Sequence, residues 1–300
     1  MTVCRTALAI ALVMGSCSAW AQEPLIGFSP ADPRVAGQVG TVIPPSPVPF
    51  TPPGPVAVPS PPERWIESSW YTRVDYFHWN ERIDGMDFVN EYGPLVTLGY
   101  VRRVGPERFR LELFGGSMHY KGFAQFEDGS LDPLSSTTDY LGMRGEFDLL
   151  LEPDWLPQVS FLVGIGTRFW FRDINDGISQ SNYLVLGYEE AWWTVYPYFG
   201  MEKRRVPTNG MEFYWAGRIG LTPLNFERIV CVSDFGSNFA VTLHPRTGVT
   251  GQLEAGLRGQ RFYLSAFFEG WTWAESPVVA DTLQPRSQMM LVGLKTGLSY

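Results

Sequence analysis

Phe109-Arg110-Leu111-Glu112-Leu113 alternates apolar and charged side chains without a break. Successive side chains of an extended strand point to opposite faces. Phe109, Leu111 and Leu113 therefore share one face, and Arg110 and Glu112 share the other. The same period of two recurs along the chain and predicts ten strands: Trp70–Asn80, Leu95–Arg103, Arg108–Tyr120, Tyr140–Leu151, Gln158–Arg172, Glu190–Lys203, Met211–Thr222, Val249–Arg258, Arg261–Thr272 and Gln288–Tyr300. These exceed the roughly five or six residues of an ordinary globular strand. They suit a tilted strand crossing a bilayer, which needs about 9–11.

The connections alternate in length. Gly105-Pro106-Glu107, Glu152–Pro157, Arg204–Gly210 and Gly259-Gln260 are short. Glu81–Pro94, Lys121–Asp139, Asp173–Glu189, Pro223–Gly248 and Trp273–Ser287 are long. Short turns at one end and long loops at the other are the pattern of a transmembrane barrel. The expected fold is all-β: an antiparallel up-and-down transmembrane β-barrel of ten strands over residues 65–300. Ile229–Ser233 and Phe239–His244 form a further hairpin that would raise the count to twelve if it entered the membrane. Pro197 cannot donate to a sheet ladder, so a bulge is expected there.

The division of charge between the faces sets the class. One face carries Val74, Leu98, Leu111, Phe147, Val163, Phe199, Ile219, Leu253, Leu264 and Leu294, with charge confined to strand ends at Arg102 and Lys203. The other carries the cations Arg73, Arg110, Arg144, Arg168, Arg172, Arg218, Arg258 and Lys295. It also carries the anions Asp75, Glu112, Glu146, Asp148, Glu190, Glu202, Glu212, Glu254 and Glu269. The two signs nearly balance, so these residues can be buried as pairs where isolated charges could not; Arg144 is expected to hold Glu146 or Asp148. Closing the hairpin at Gly105-Pro106 sets Arg110 opposite Val101 and Glu112 opposite Gly99. Closing the one at Gly259-Gln260 sets Glu254 opposite Ser265. A soluble β-sandwich also alternates, but does not require strands this long. Trp70, Trp155, Trp192, Trp193, Tyr188, Trp271 and Tyr300 lie near strand ends and read as aromatic girdles at the two membrane interfaces.

On these features the chain resembles the small bacterial outer-membrane β-barrel proteins. Its last strand, Met290–Tyr300, alternates apolar residues and ends in an aromatic, similar to the C-terminal assembly signal of that class; Lys295 stands where the signal usually has Gly, and Tyr300 where Phe is commoner. The resemblance implies an outer-membrane location, contact with outer-membrane lipids, and recognition of the last strand by the barrel assembly machinery.

The N-terminal region reads differently. Arg5, the apolar run Ala7–Met14 and Ala19-Trp20-Ala21 form a signal peptide over residues 1–21. Its removal takes Cys4 and Cys17, leaving Cys231 as a buried thiol with no disulfide partner. Residues 22–64 have no strand or helix pattern, and Ile43–Pro62 holds ten prolines in twenty residues. This disordered segment reads as a periplasmic spacer, with a cell-wall contact as its alternative role. An even strand count puts both mature termini on the turn side.

Composition excludes other classes. The chain has 11 Trp, 13 Tyr and 20 Phe, too many aromatics for overall disorder. A net charge of −8 argues against nucleic acid as a partner. Ten-stranded barrels include the omptin proteases, which use an Asp-x-His pair. Outer-membrane lipid hydrolases use His-x-Ser. His78, His119 and His244 fit neither pattern, so no catalytic residue, cofactor or metal is expected. Asp173-Ile174-Asn175-Asp176-Gly177 resembles a shortened calcium loop but lacks its closing Glu, and reads as a turn. The first three outer loops are rich in carboxylates, including Glu81, Glu91 and Asp132. The expected function is a structural or surface-interaction role with a lumen filled by side chains. A narrow porin-like channel is the first alternative, and an outer-membrane protease or lipid-modifying enzyme the second.

Overall fold

The computed structural model describes residues 66–125, 130–156, 158–205, 211–232, 238–280 and 282–300. The expected signal peptide, the Pro-rich spacer and Trp65 lie outside the described residues, as do the tip of the fourth loop and the Cys231 side chain. The strands are β1 (Ile66–Ile83), β2 (Met86–Val104), β3 (Glu107–Gln125), β4 (Leu131–Leu151), β5 (Val159–Ile174), β6 (Gly177–Ser179), β7 (Leu184–Val185), β8 (Tyr188–Arg205), β9 (Glu212–Thr222), β10 (Leu224–Val232), β11 (Asn238–Leu243), β12 (Gly248–Arg258), β13 (Phe262–Trp273) and β14 (Arg286–Ser299).

Ten of these, β1 to β5, β8, β9 and β12 to β14, pair antiparallel with their neighbours in chain order. β14 returns to β1 in continuous register from Ser69↔Ser299 to Arg82↔Arg286 and closes the barrel. Closure satisfies the backbone groups that an open sheet would leave at its edges. β10 continues β9 past Pro223 on the same neighbour, β8, and turns back as β11. This hairpin extends the wall at the loop side, so the barrel has ten strands and not twelve.

The strands run further toward the loops than the apolar alternation indicates. The expected long loop Glu81–Pro94 is almost entirely strand, closed by Asp84-Gly85, both at positive φ (51° and 81°). Two successive left-handed residues make a hairpin turn whose twist matches that of the flanking strands. Glu81 and Glu91, expected in an outer loop, consequently belong to strands and point inward, as does Asp132 of β4. Above the apolar band the outer face is itself polar, with Asn90, Lys121 and Asp139, so the contrast between the faces disappears from the sequence while the strand continues. At the turn side, Gly105 (φ 59°) opens a two-residue turn and sets Val101↔Arg110 and Gly99↔Glu112, the expected register. The last hairpin differs. Gly259–Phe262 closes with Gly259 N–H donating to the Phe262 carbonyl at 2.7 Å, so Glu254 lies opposite Phe267. The slip is two residues, an even number, and leaves every side chain on its face. The irregularity expected at Pro197 is present: three steps from Val195 to Tyr198 match four from Gly220 to Leu224, with the extra residue on the partner strand at Pro223.

Inward aromatics seat on inward glycines of the neighbouring strand. Tyr196 lies over Gly166 and Tyr71 over Gly99, each so close that an added Cβ would overlap the ring. This arrangement leaves room for large rings in a narrow barrel.

The facing can be tested on adjacent residues. Leu294 is 63% exposed on the outer wall, while Lys295 is 6% exposed and donates from Nζ to Glu254 Oε2 at 3.0 Å inside. Leu294→Arg should cost about 2–4 kcal/mol in a bilayer. Lys295→Met should cost less, because Glu254 keeps hydrogen bonds from Tyr214 and Ser265. Urea titration of both variants in lipid vesicles reads the order; the reverse order would invert the facing.

Candidate functional site

The candidate site is the barrel interior, and its side chains lie in tiers. At the turn side, Arg108 of β3 donates from Nη1 to Glu202 Oε2 (2.6 Å) and places Nε 2.9 Å from Asp148 Oδ1. Arg258 pairs with Glu67. A cavity of about 120 Å³ opens among these groups, and half-buried Glu212 lines it.

The middle tier is a continuous ionic network. Arg73 donates to Asp75 (2.6 Å), and its Nη1 lies 3.7 Å from Glu112. Arg144 pairs with Glu112 and donates to Glu269 Oε2 (2.7 Å), whose other oxygen accepts from Arg168 (2.9 Å). Arg110 and Arg218 both donate to Glu146 Oε2 (2.9 and 2.6 Å), and Tyr196 donates to its Oε1 (2.6 Å). Arg144 therefore holds Glu112 and Glu269 together and places its Nε 3.8 Å from Glu146 Oε1, one of its two expected partners; the other, Asp148, is engaged by Arg108 and Tyr198. Pairing to charged partners lets such groups sit out of water.

Above this network five tryptophans fill the bore: Trp79, Trp170, Trp192, Trp271 and Trp273. Trp170 stacks on Trp192 (5.3 Å, 9°) and Trp271 on Trp273 (5.7 Å, 11°); Trp79 packs on both Trp192 and Trp273 (5.5 and 5.4 Å). Trp192 and Trp271, expected in a membrane girdle, are 0% and 2% exposed and lie inside; Tyr188 packs against the same cluster. Trp70, Trp155, Trp193 and Tyr300 do face outward. Strand parity decides: Trp192 shares a face with Glu190, and Trp271 with Glu269. Each indole N–H donates to that carboxylate two residues away, as Trp79 does to Glu81. Same-face neighbours at this spacing are within reach along a strand.

The loop-side tier centres on Arg172, which is fully buried. Its guanidinium donates to Glu81 (2.9 Å), Glu91 (2.7 Å) and Glu190 (2.7 Å), carboxylates from β1, β2 and β8. Thr138 and Tyr140 of β4 donate to Glu91 as well. Glu227 of β10 is buried beside this tier, and the last loop folds over it: the Gln284 amide, oriented by its partners, donates to both Glu227 oxygens (2.8 and 3.0 Å) and accepts from Ser287 (2.9 Å).

The residues that the sequence reading left out of the interior include Arg103, Arg108, Glu81, Glu91, Asp132, Glu227 and the tryptophans. Parity carried beyond the apolar band would have found all of these but Glu227, because each shares the inward parity of its strand. Glu227 lies past the register break at Pro223 and gave no such signal.

The histidines lie outside the bore. His78 is half-buried, with Nε2 3.2 Å from Asn90 Oδ1; His119 packs edge-on to Tyr92 and His244 to Phe226. Asp173–Gly177 is a strand end and turn in which Asp176 accepts from Gly187 N–H at 2.8 Å. Among the described residues no group of three or more His, Cys, Asp or Glu is placed to hold a metal ion.

The arrangement of strands matches solved structures. The outer membrane protease OmpT of Escherichia coli superimposes at a TM-score of 0.52 with 7% identity, over 80% of this chain and 97% of that one. The fold is that of the bacterial outer-membrane β-barrels. The translocator domain of the autotransporter NalP of Neisseria meningitidis gives a TM-score of 0.41 at 11% identity, covering 78% and 88% of the two chains. No family profile matches the sequence, and no curated protein does. The outer-membrane barrel fold is thus shared at low sequence identity.

Proposed function

We propose that this protein resides in the bacterial outer membrane as a structural or surface-interaction barrel whose bore is closed by its own side chains. Residues 1–21 direct export, residues 22–64 are a periplasmic spacer with cell-wall contact as an alternative role, and β14 addresses the assembly machinery. The short turns and both termini face the periplasm, and the long connections face outward. The observation that carries the reading is the run of tiers across the bore: ion pairs, then five packed tryptophans, then Arg172 clamped by carboxylates from three strands. A barrel of about eight strands has an interior that side chains just fill; with ten strands, large rings and long charged side chains take up the added width.

Proteolysis, the activity of OmpT, is not assigned here, because the three histidines face outward and pair with Asn90 or with aromatic rings. The test is conductance. The purified full chain in a planar bilayer should give no steady current. Steady ion-selective steps would overturn the closed bore and favour a narrow channel, a second reading that draws on the turn-side cavity.

A further inference from the structure

Glu227 is a buried carboxyl group without a cation. It is 0% exposed and lies in register between Trp192 of β8 and Leu243 of β11, which are buried as well. The charged groups that face it are Glu190 of β8, Glu81 of β1 and Arg172 of β5. Arg172 is already engaged by Glu81, Glu91 and Glu190. β11 carries no titratable residue, and Glu275 and Arg286, near the two ends of the last loop, are exposed. With all four glutamates ionised, one guanidinium would face four carboxylates. Burial raises the Glu227 pKa, Glu190 and Glu81 raise it further, and Arg172 opposes them.

The last loop, between β13 and β14, covers this group with Gln284. The loop is closed on itself: the Ser276 N–H donates to the Gln284 carbonyl (3.0 Å), and the Gln284 N–H donates to Ser276 Oγ (2.9 Å). Ser276, Gln284 and Ser287 are all buried. The Gln284 side chain can meet either form of Glu227. Toward the carboxylate, its amide nitrogen donates to both oxygens and its Oε1 takes the Ser287 hydroxyl proton. Toward the carboxylic acid, the amide turns over. The Glu227 O–H then donates to Gln284 Oε1, Gln284 Nε2 donates to Ser287 Oγ (2.9 Å), and the Ser287 hydroxyl donates to the Pro285 carbonyl (2.9 Å). The acid form thus completes an unbroken chain of donors and acceptors from β10 into the loop, and it adds no fourth negative charge to the tier.

We propose that the last loop is a proton-operated cover, which seats on the acid form of Glu227 and is released from the loop-side end of the bore when that proton is lost to water. The inference deepens the closed-bore reading and rests on it. A seated Glu227 holds its proton more tightly than a solvated one. Seating is therefore favoured at low pH and lost as pH rises through the pKa of the seated group.

The test is hydrogen–deuterium exchange of the refolded full chain in lipid vesicles, read as protection of the segment around Ser276 and Gln284 relative to β13 and corrected for the intrinsic exchange rate. From about pH 5 to about pH 10, protection of the loop should fall by up to about tenfold per pH unit, the slope set by release of one proton. Glu227→Gln carries an amide that cannot ionise and that donates to Gln284 Oε1 as the acid does, so its loop should stay protected throughout. Gln284→Leu removes the contact and should leave the loop unprotected at every pH. Protection of the wild-type loop that does not change with pH would overturn the proposal, whether or not the variants assemble. So would a fall in Glu227→Gln as steep as in the wild type, or a parallel loss of protection in β8, which would show the barrel wall loosening in place of the loop. Failure of the closed-bore reading reads out separately, as steady current through the wild type at every pH.

Discussion

Arg172→Met should be among the most destabilising single substitutions in the barrel. It removes the guanidinium from Glu81, Glu91 and Glu190, all buried, and leaves three carboxylates close together with no cation. Breaking one buried pair by removing a partner typically costs about 3–5 kcal/mol, so the loss should reach or exceed that range. The measurement is the urea midpoint of the refolded barrel in lipid vesicles, followed by tryptophan emission, because the tryptophan tier lies directly below. Arg172→Met combined with Glu91→Gln and Glu190→Gln should recover part of the loss, since neutral amides no longer repel one another. A single variant as stable as the wild type would mean that water already solvates these groups, and the loop end of the bore would then be open.

Trp192→Ala should have an effect of similar size and a different signature. The ring stacks on Trp170 and packs on Trp79 and Trp273, and its N–H donates to Glu190. Truncating a buried tryptophan typically costs about 3–5 kcal/mol. Here the void also lies in the tier that closes the bore, so the variant should pass brief currents in a planar bilayer where the wild type passes none. Phe at the same position should restore both stability and closure in large part. Unchanged stability with no conductance would show that closure lies elsewhere, in the ionic tier or the last loop.

Both predictions concern residues whose place was only partly legible. Strand identity and facing were written in the sequence, because a period of two with charge on one face admits one arrangement in a bilayer. Any one-residue slip would send Arg110, Glu112 and their counterparts into lipid. Arg172 was assigned to the interior on that basis. Its partners Glu81 and Glu91 were not, because beyond the apolar band both faces are polar and alternation no longer marks a strand. Trp192 and Trp271 show the converse. Their parity placed them inside, but their position near strand ends suggested an interfacial girdle, and a tryptophan's composition is compatible with either.

What the sequence determined by itself is therefore the barrel: ten strands, alternating turns and loops, a lipid-facing wall and a charged interior. These follow from local rules, the strand period and the cost of charge in hydrocarbon, that act on each segment separately. What only the tertiary structure decided is which groups meet across the bore. Arg144 reaches Glu269 on β13 as well as Glu146 on its own strand, five indoles converge from β1, β5, β8 and β13, and Gly251 meets Gly270 on the outer wall. Those pairings depend on strand tilt and stagger around a closed circuit, which fix distances between residues far apart in sequence and leave no mark on any one strand.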